Sequence, residues 1–154
     1  MNKVLTVFAV VVLMIATRKV LAEEIMKVPM GLALETLEPF AMNCELKPEK
    51  AHMEELILNK EDADLITKCL RGCLMEQFQL FVEDSTDVNT EKLLSWMVLL
   101  YSEKIDELRA ISNGCNAKNV EMGITDKCEV AHSYAMCMLK EMKEREYEIP
   151  EVEQ

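Results

Sequence analysis

Six cysteines are the residues in this chain best placed to do chemistry. That chemistry is either redox or cross-linking. Six is an even number, enough for three bridges with no thiol left over. Cys69 and Cys73 stand four apart, one turn apart on one helical face, and cannot bond each other without distorting the backbone. Cys128 and Cys137 stand nine apart and face opposite sides of one helix, so they cannot pair there either. Six cysteines permit roughly fifteen connectivities, and this geometry prunes them without choosing one. One solution joins Cys69 to Cys128 or Cys137 and leaves Cys73 for the N-terminal segment. Other reactive groups form no site. His52 and His132 lie in different predicted helices with no metal-ligand or hydrolase spacing, and no Gly-rich phosphate loop exists. His132, four residues after Cys128, reads as a surface or half-buried helix residue. With every cysteine paired there is no thiol nucleophile. The chain reads as a non-enzyme with no cofactor and no metal.

The elements that carry the cysteines read as helices. Four glycines, four prolines and no alternating polar and apolar run argue against a sheet. A first helix is expected over residues 32–46, with Pro39 breaking or kinking it. Pro48 starts a second, to Leu56 or Ile57. Asn59 caps a third over residues 60–81, carrying Cys69 and Cys73. Residues 83–87 are a polar loop. Asn89 or Thr90 caps a fourth helix through Tyr101. Ser102 caps a fifth that stops near Asn113-Gly114. Thr125 or Asp126 starts a sixth, to about Arg145.

The N-terminus reads as an export signal. Lys3 precedes an apolar run over residues 4–16, and Val20-Leu21-Ala22 is a small-residue cleavage site. The run is too short to span a bilayer, which needs roughly 20 residues. Residues 1–22 are therefore expected to be a secretory signal peptide and residues 23–154 one helical domain. Export to an oxidising compartment accounts for the cysteines. Residues 23–154 hold 14 basic and 28 acidic residues, a net charge of −14. That balance argues against nucleic acid and anionic membranes as partners. No Asn-x-Ser/Thr triplet occurs.

The fourth helix is apolar nearly all round, which predicts burial on most sides. It is either plain core or the lining of a cavity, which would place Trp96, Met97 and Leu100 in the wall. Twelve methionines are many for 154 residues, and methionine is over-used where varied apolar ligands are accepted. Tyr134, Met138 and Met142 recur every four residues on one face of the sixth helix. A methionine stripe is more often core filler than pocket. Three cross-links, at typically ~2–4 kcal/mol each, would let the domain tolerate a hollow interior.

The spacing Cys44-x24-Cys69-x3-Cys73-x41-Cys115-x12-Cys128-x8-Cys137 resembles that of the insect odorant-binding proteins, which include the pheromone-binding proteins. The x3 and x8 gaps are its specific part. The resemblance implies an all-α fold of about six helices around an internal apolar cavity. It also implies the bridges Cys44–Cys73, Cys69–Cys128 and Cys115–Cys137. It further implies a carrier of small apolar odorants or pheromones in sensillum lymph or another extracellular fluid. An olfactory receptor or membrane complex is a further partner of that role, and the state is a monomer or weak homodimer. Carried over by position, Met138 directly after the sixth cysteine contacts ligand. So do Met75, Phe78 and Phe81 from the helix of the second and third cysteines, and Leu37 seven residues before the first. The chain lacks the richer histidine set of moth pheromone-binding proteins, and their pH switch is not carried over. Some members close the pocket with the C-terminal segment. Here that suggests a lid over residues 147–154 in which Tyr147, Ile149 and Val152 lie across the mouth, held partly by contacts of Glu148, Glu151 and Glu153 with basic groups there; the alternative is a disordered acidic end. Two other readings stand beside the carrier. One is a secreted disulfide-rich helical signalling or interaction module without a ligand cavity. The other is a small lipid-active enzyme, which needs a catalytic His-Asp pair or calcium loop that no motif in the sequence indicates.

Overall fold

The computed structural model describes residues 27–153; the expected signal peptide lies outside them. The elements run β1 (Lys27–Pro29), α1 (Met30–Ala41), α2 (Lys50–Ile57), α3 (Leu65–Gln77) and α4 (Thr90–Tyr101). A 3-10 turn (Ser102–Lys104), α5 (Ile105–Glu121), α6 (Lys127–Glu144) and β2 (Glu151–Glu153) follow. The fold is all-α but for a short parallel pair of β1 with β2, in which Val28 sits opposite Val152.

Local chemistry sets the helix ends. Asp64, Asn89 and Asp126 each accept a hydrogen bond from the backbone N–H three residues on, capping α3, α4 and α6. Four helices end in Schellman motifs, with Asn59, Gln79, Gly123 and Glu146 in the left-handed region. At the end of α2 the Lys60 N–H bonds the Glu55 carbonyl and the Asn59 N–H bonds that of Leu56. Asn59 therefore stops α2 and does not start α3, which begins five residues later than residue 60. Pro39 falls near the end of α1 and does not break it; the helix ends at Ala41. α5 continues through Asn113-Gly114 to Glu121, because its left-handed stop is Gly123, at φ +66°.

Two apolar clusters form the core. Ala41, Cys44, Met53, Leu70 and Leu74 join α1, α2 and α3. Met75, Val88, Leu94, Leu108, Ile111, Cys115, Ala131, Tyr134, Met138, Met142 and Tyr147 join the end of α3 to α4, α5, α6 and the tail. α3 serves both and lies tightest against α6. An added Cβ at Gly72 would come within 3.2 Å of the Lys127 carbonyl oxygen. The three bridges are Cys44–Cys73, Cys69–Cys128 and Cys115–Cys137, the pairing implied by the family resemblance. They tie α3 to the α1–α2 connection, α3 to α6, and α5 to α6. Across the Cys69–Cys128 bridge the Cα atoms are 4.2 Å apart.

The fourth helix departs from expectation. It is buried on one side only: Leu94 is in the core, while Trp96, Val98 and Leu100 are exposed and Leu99 is 82% exposed. α4 packs on α5, and Phe78 at the end of α3 meets its outer face at Trp96. His132 is buried, with its Nε2 2.8 Å from the Glu61 carbonyl oxygen, which pins the α2–α3 connection to α6.

Candidate ligand-binding site

The expected contact residues lie on α1, α3, α4 and α6, except that α3 ends at Gln77 and not at Phe81, which leaves Phe78 as its C-cap and Phe81 in a bridge with Val88. Packing sorts them into three groups. Met75, Phe81, Met97, Tyr134, Met138 and Met142 meet in one apolar cluster. Met138 is 6% exposed and Tyr134 3%. The run Tyr134, Met138, Met142 faces inward as its four-residue spacing requires. Leu37 lies apart, against the α1–α2–α3 cluster. Phe78, Trp96 and Leu100 are exposed at the surface.

Phe78 and Trp96 are nonetheless not isolated. Phe78 caps the C-terminal end of α3. Its ring centroid is 5.2 Å from that of Phe40 on α1 and 6.1 Å from that of Trp96 on α4. Such separations are those of favourable tilted and edge-on aromatic pairs. This seam joins three helices, and each ring is at least a third exposed. Along the chain it borders the methionine cluster: Phe78 follows Met75 by three residues and Trp96 precedes Met97. The described clefts, of about 260–500 Å³, are surface grooves. Of the ten expected contact residues only Leu100 borders one of them, beside Tyr101 and Tyr147. None of these clefts is lined by a methionine of the cluster.

Polar groups of this cluster are few and each is tied. Tyr134 Oη stands 2.6 Å from Ser112 Oγ, which stands 2.7 Å from Thr90 Oγ1, and Thr90 donates to Asn113 Oδ1 at 2.9 Å. Burial pushes the Tyr134 phenol up to about 12, so it is neutral at physiological pH. Tyr147 donates to Glu107 Oε2 at 2.7 Å, and Tyr101 donates to the Glu148 carbonyl oxygen at 2.7 Å.

These contacts change the reading of the C-terminal segment. Tyr147 is 7% exposed and belongs to the core. Its ring meets Tyr101 edge-on at 5.5 Å, with Lys104 Nζ 4.2 Å from its centroid. Tyr147 follows the left-handed Glu146 and its N–H bonds the Met142 carbonyl, the position from which a Schellman motif turns an apolar side chain back onto its helix. Glu148, Glu151 and Glu153 make no ion pair among the described residues. The tail is held by Tyr147, the Tyr101 hydrogen bond and strand pairing. The expected carboxylate clasp is replaced by apolar burial.

Sequence reasoning missed Phe40, Ser112 and Tyr101, and placed Tyr147 in a lid across the pocket mouth rather than in the core. Phe40 follows Leu37 by three residues and was legible as its helical neighbour.

A model of the PBP/GOBP family matches residues 31–141, a stretch that includes all six cysteines and runs from α1 into α6. The chain belongs to the PBP/GOBP family. Neither the curated proteins nor the solved structures compared with it include a match. PBP/GOBP members are carriers of small apolar molecules such as odorants and pheromones rather than enzymes, and those with disulfides are typically extracellular. Among the described residues no helix is long and apolar enough to cross a membrane, and no cluster of three or more His, Cys, Asp or Glu side chains could hold a metal.

Proposed function

We propose that the chain is a secreted carrier that takes up one small apolar molecule and moves it through aqueous extracellular fluid. The ligand passes the Phe40–Phe78–Trp96 seam and lies against Met75, Met97, Tyr134 and Met138. One observation carries this reading: half-exposed aromatic rings from three helices pack together, two of them bordering along the chain on a cluster rich in methionine. Exposed aromatic surface is costly in water unless something covers it. Methionine gives an interior that reshapes around different apolar guests. The disulfides hold the helices while the interior rearranges, each contributing typically ~2–4 kcal/mol.

Trp96 is the single tryptophan, so its emission reports on the seam. N-phenyl-1-naphthylamine should quench it saturably. Phe78→Glu, at a surface position that tolerates charge, should weaken probe binding at least ~tenfold, because the carboxylate must be desolvated. Met138→Glu should do the same from inside. A probe that does not bind, or an unchanged affinity in both variants, refutes the carrier reading. Collapse of helix content in Met138→Glu would make Met138 core rather than wall. The exposed outer face of α4 favours one second reading, a secreted interaction module, and the failure of every apolar probe would select it.

A further inference from the structure

The hydrogen-bond bookkeeping of the methionine cluster restricts what its ligand can be. A hydroxyl carries one proton to give and lone pairs to receive. Asn113 Oδ1 only accepts, so the Thr90 proton is spent on it. Thr90 Oγ1 can then only accept from Ser112, which commits the Ser112 proton. Ser112 Oγ in turn accepts from Tyr134, which commits the phenolic proton. Tyr134 is left with an unused lone pair and nothing to donate. The other two tyrosines of the chain border the same cluster, and their protons are committed to Glu107 and to the Glu148 carbonyl. The methionine sulfurs are weak acceptors and never donors. The indole N–H of Trp96 belongs to a residue 53% exposed, where water competes for it. Among the described residues the interior of the cluster thus offers acceptors and no donor.

Resting on the carrier reading above, we propose that the chain selects apolar ligands bearing one O–H or N–H donor, alcohols first, over aldehydes and esters of equal length, with Tyr134 Oη as the acceptor. A carbonyl ligand would bury its oxygen without a donor, and an unpaired buried acceptor is penalised. An alcohol of the same chain length loses no hydrogen bond. Tyr134 is here a specificity-determining residue, and Ser112 is a positioning residue that acts through it.

The test is displacement of N-phenyl-1-naphthylamine from residues 23–154 by 1-decanol, decanal and methyl decanoate, with far-UV circular dichroism confirming each variant's fold. The native chain should bind the alcohol several-fold more tightly than the aldehyde or ester, the size one neutral hydrogen bond supports. Tyr134→Phe should abolish the preference. Ser112→Ala should reverse it, because Tyr134 then has a proton free for a carbonyl oxygen. A role for Ser112 in stability alone would shift all three ligands together. Equal binding of the three by the native chain overturns the proposal, and so does a preference that survives both variants. Both results leave the carrier reading standing, since the probe binds in each. A probe that never binds removes the carrier reading and this proposal with it.

Discussion

Raising the pH should unfold this domain through its tyrosines, and Tyr134 sets the size of the effect. Burial pushes its phenol from 10.0 to about 12, with the Ser112 hydrogen bond pulling the other way. Tyr147 also stands at about 12, through burial and then through the Glu107 carboxylate it bonds, and burial raises Tyr101. An unfolded tyrosine ionises near pH ~10. The folded state therefore favours the neutral phenols, and their contribution is complete below pH ~10. As the pH rises from there toward about 12, the unfolded chain sheds protons that the folded chain keeps, and stability falls. For Tyr134, 3% exposed, a two-unit rise at about 1.4 kcal/mol per unit is about 3 kcal/mol. That is a large part of the ~5–15 kcal/mol typical of a domain. Tyrosinate ultraviolet absorbance should show native phenols ionising well above pH ~10. Guanidinium unfolding followed by Trp96 emission should show stability dropping across the same window, and Tyr134→Phe should lessen the drop. Ordinary ionisation near pH ~10 in the folded chain, or an alkaline drop unchanged in Tyr134→Phe, would refute the reasoning.

Two further expectations concern the contact of α3 with α6. Gly72→Ala places a Cβ 3.2 Å from the Lys127 carbonyl oxygen, on backbone pinned by the Cys69–Cys128 bridge. It should cost about 1–3 kcal/mol, whereas Gly114→Ala meets open space on α5 and should stabilise by about 0.5–1 kcal/mol; thermal melts of the two should move in opposite directions. Replacing Cys69 and Cys128 together by alanine opens the bridge of longest separation, 59 residues. The chain-entropy relation gives about 4 kcal/mol, and a loss under ~1 kcal/mol in guanidinium unfolding would count against it.

Legibility in the sequence followed the range of the interactions involved. Asn89 and Asp126 were readable as caps because a cap is a contact over three residues, and Tyr134, Met138 and Met142 were readable as one face because periodicity is local. Asn59 misled because a short polar side chain suits both a helix start and a left-handed stop. Gly114 misled for a related reason: α5 ends at Gly123, and a glycine with open space around it does not by itself end a helix. The composition of α4 says how apolar the helix is, not how many neighbours it has, so its outer face was expected inside and lies outside. The chain from Tyr134 through Ser112 to Thr90 joins three helices, and no local pattern announces it. The six-cysteine spacing carried the most information, since the family resemblance it supports implied all three bridges.

The pairing of Lys27 with Glu151 and Pro29 with Glu153 brings the two ends of the described chain to one edge. Because the pair is parallel, the path from β1 through six helices to β2 is a near-closed circuit that the chain enters at the Lys27 end of the ribbon and leaves at its Glu153 end. Extensions grafted at Lys27 and at Glu153 depart from opposite ends of one short ribbon. The two ends could be spliced by a short peptide and the ring reopened at the turn over residues 83–87, so that α4 came first and α3 last. Such a rearranged chain would keep every bridge and both apolar clusters while exchanging which helices are made first.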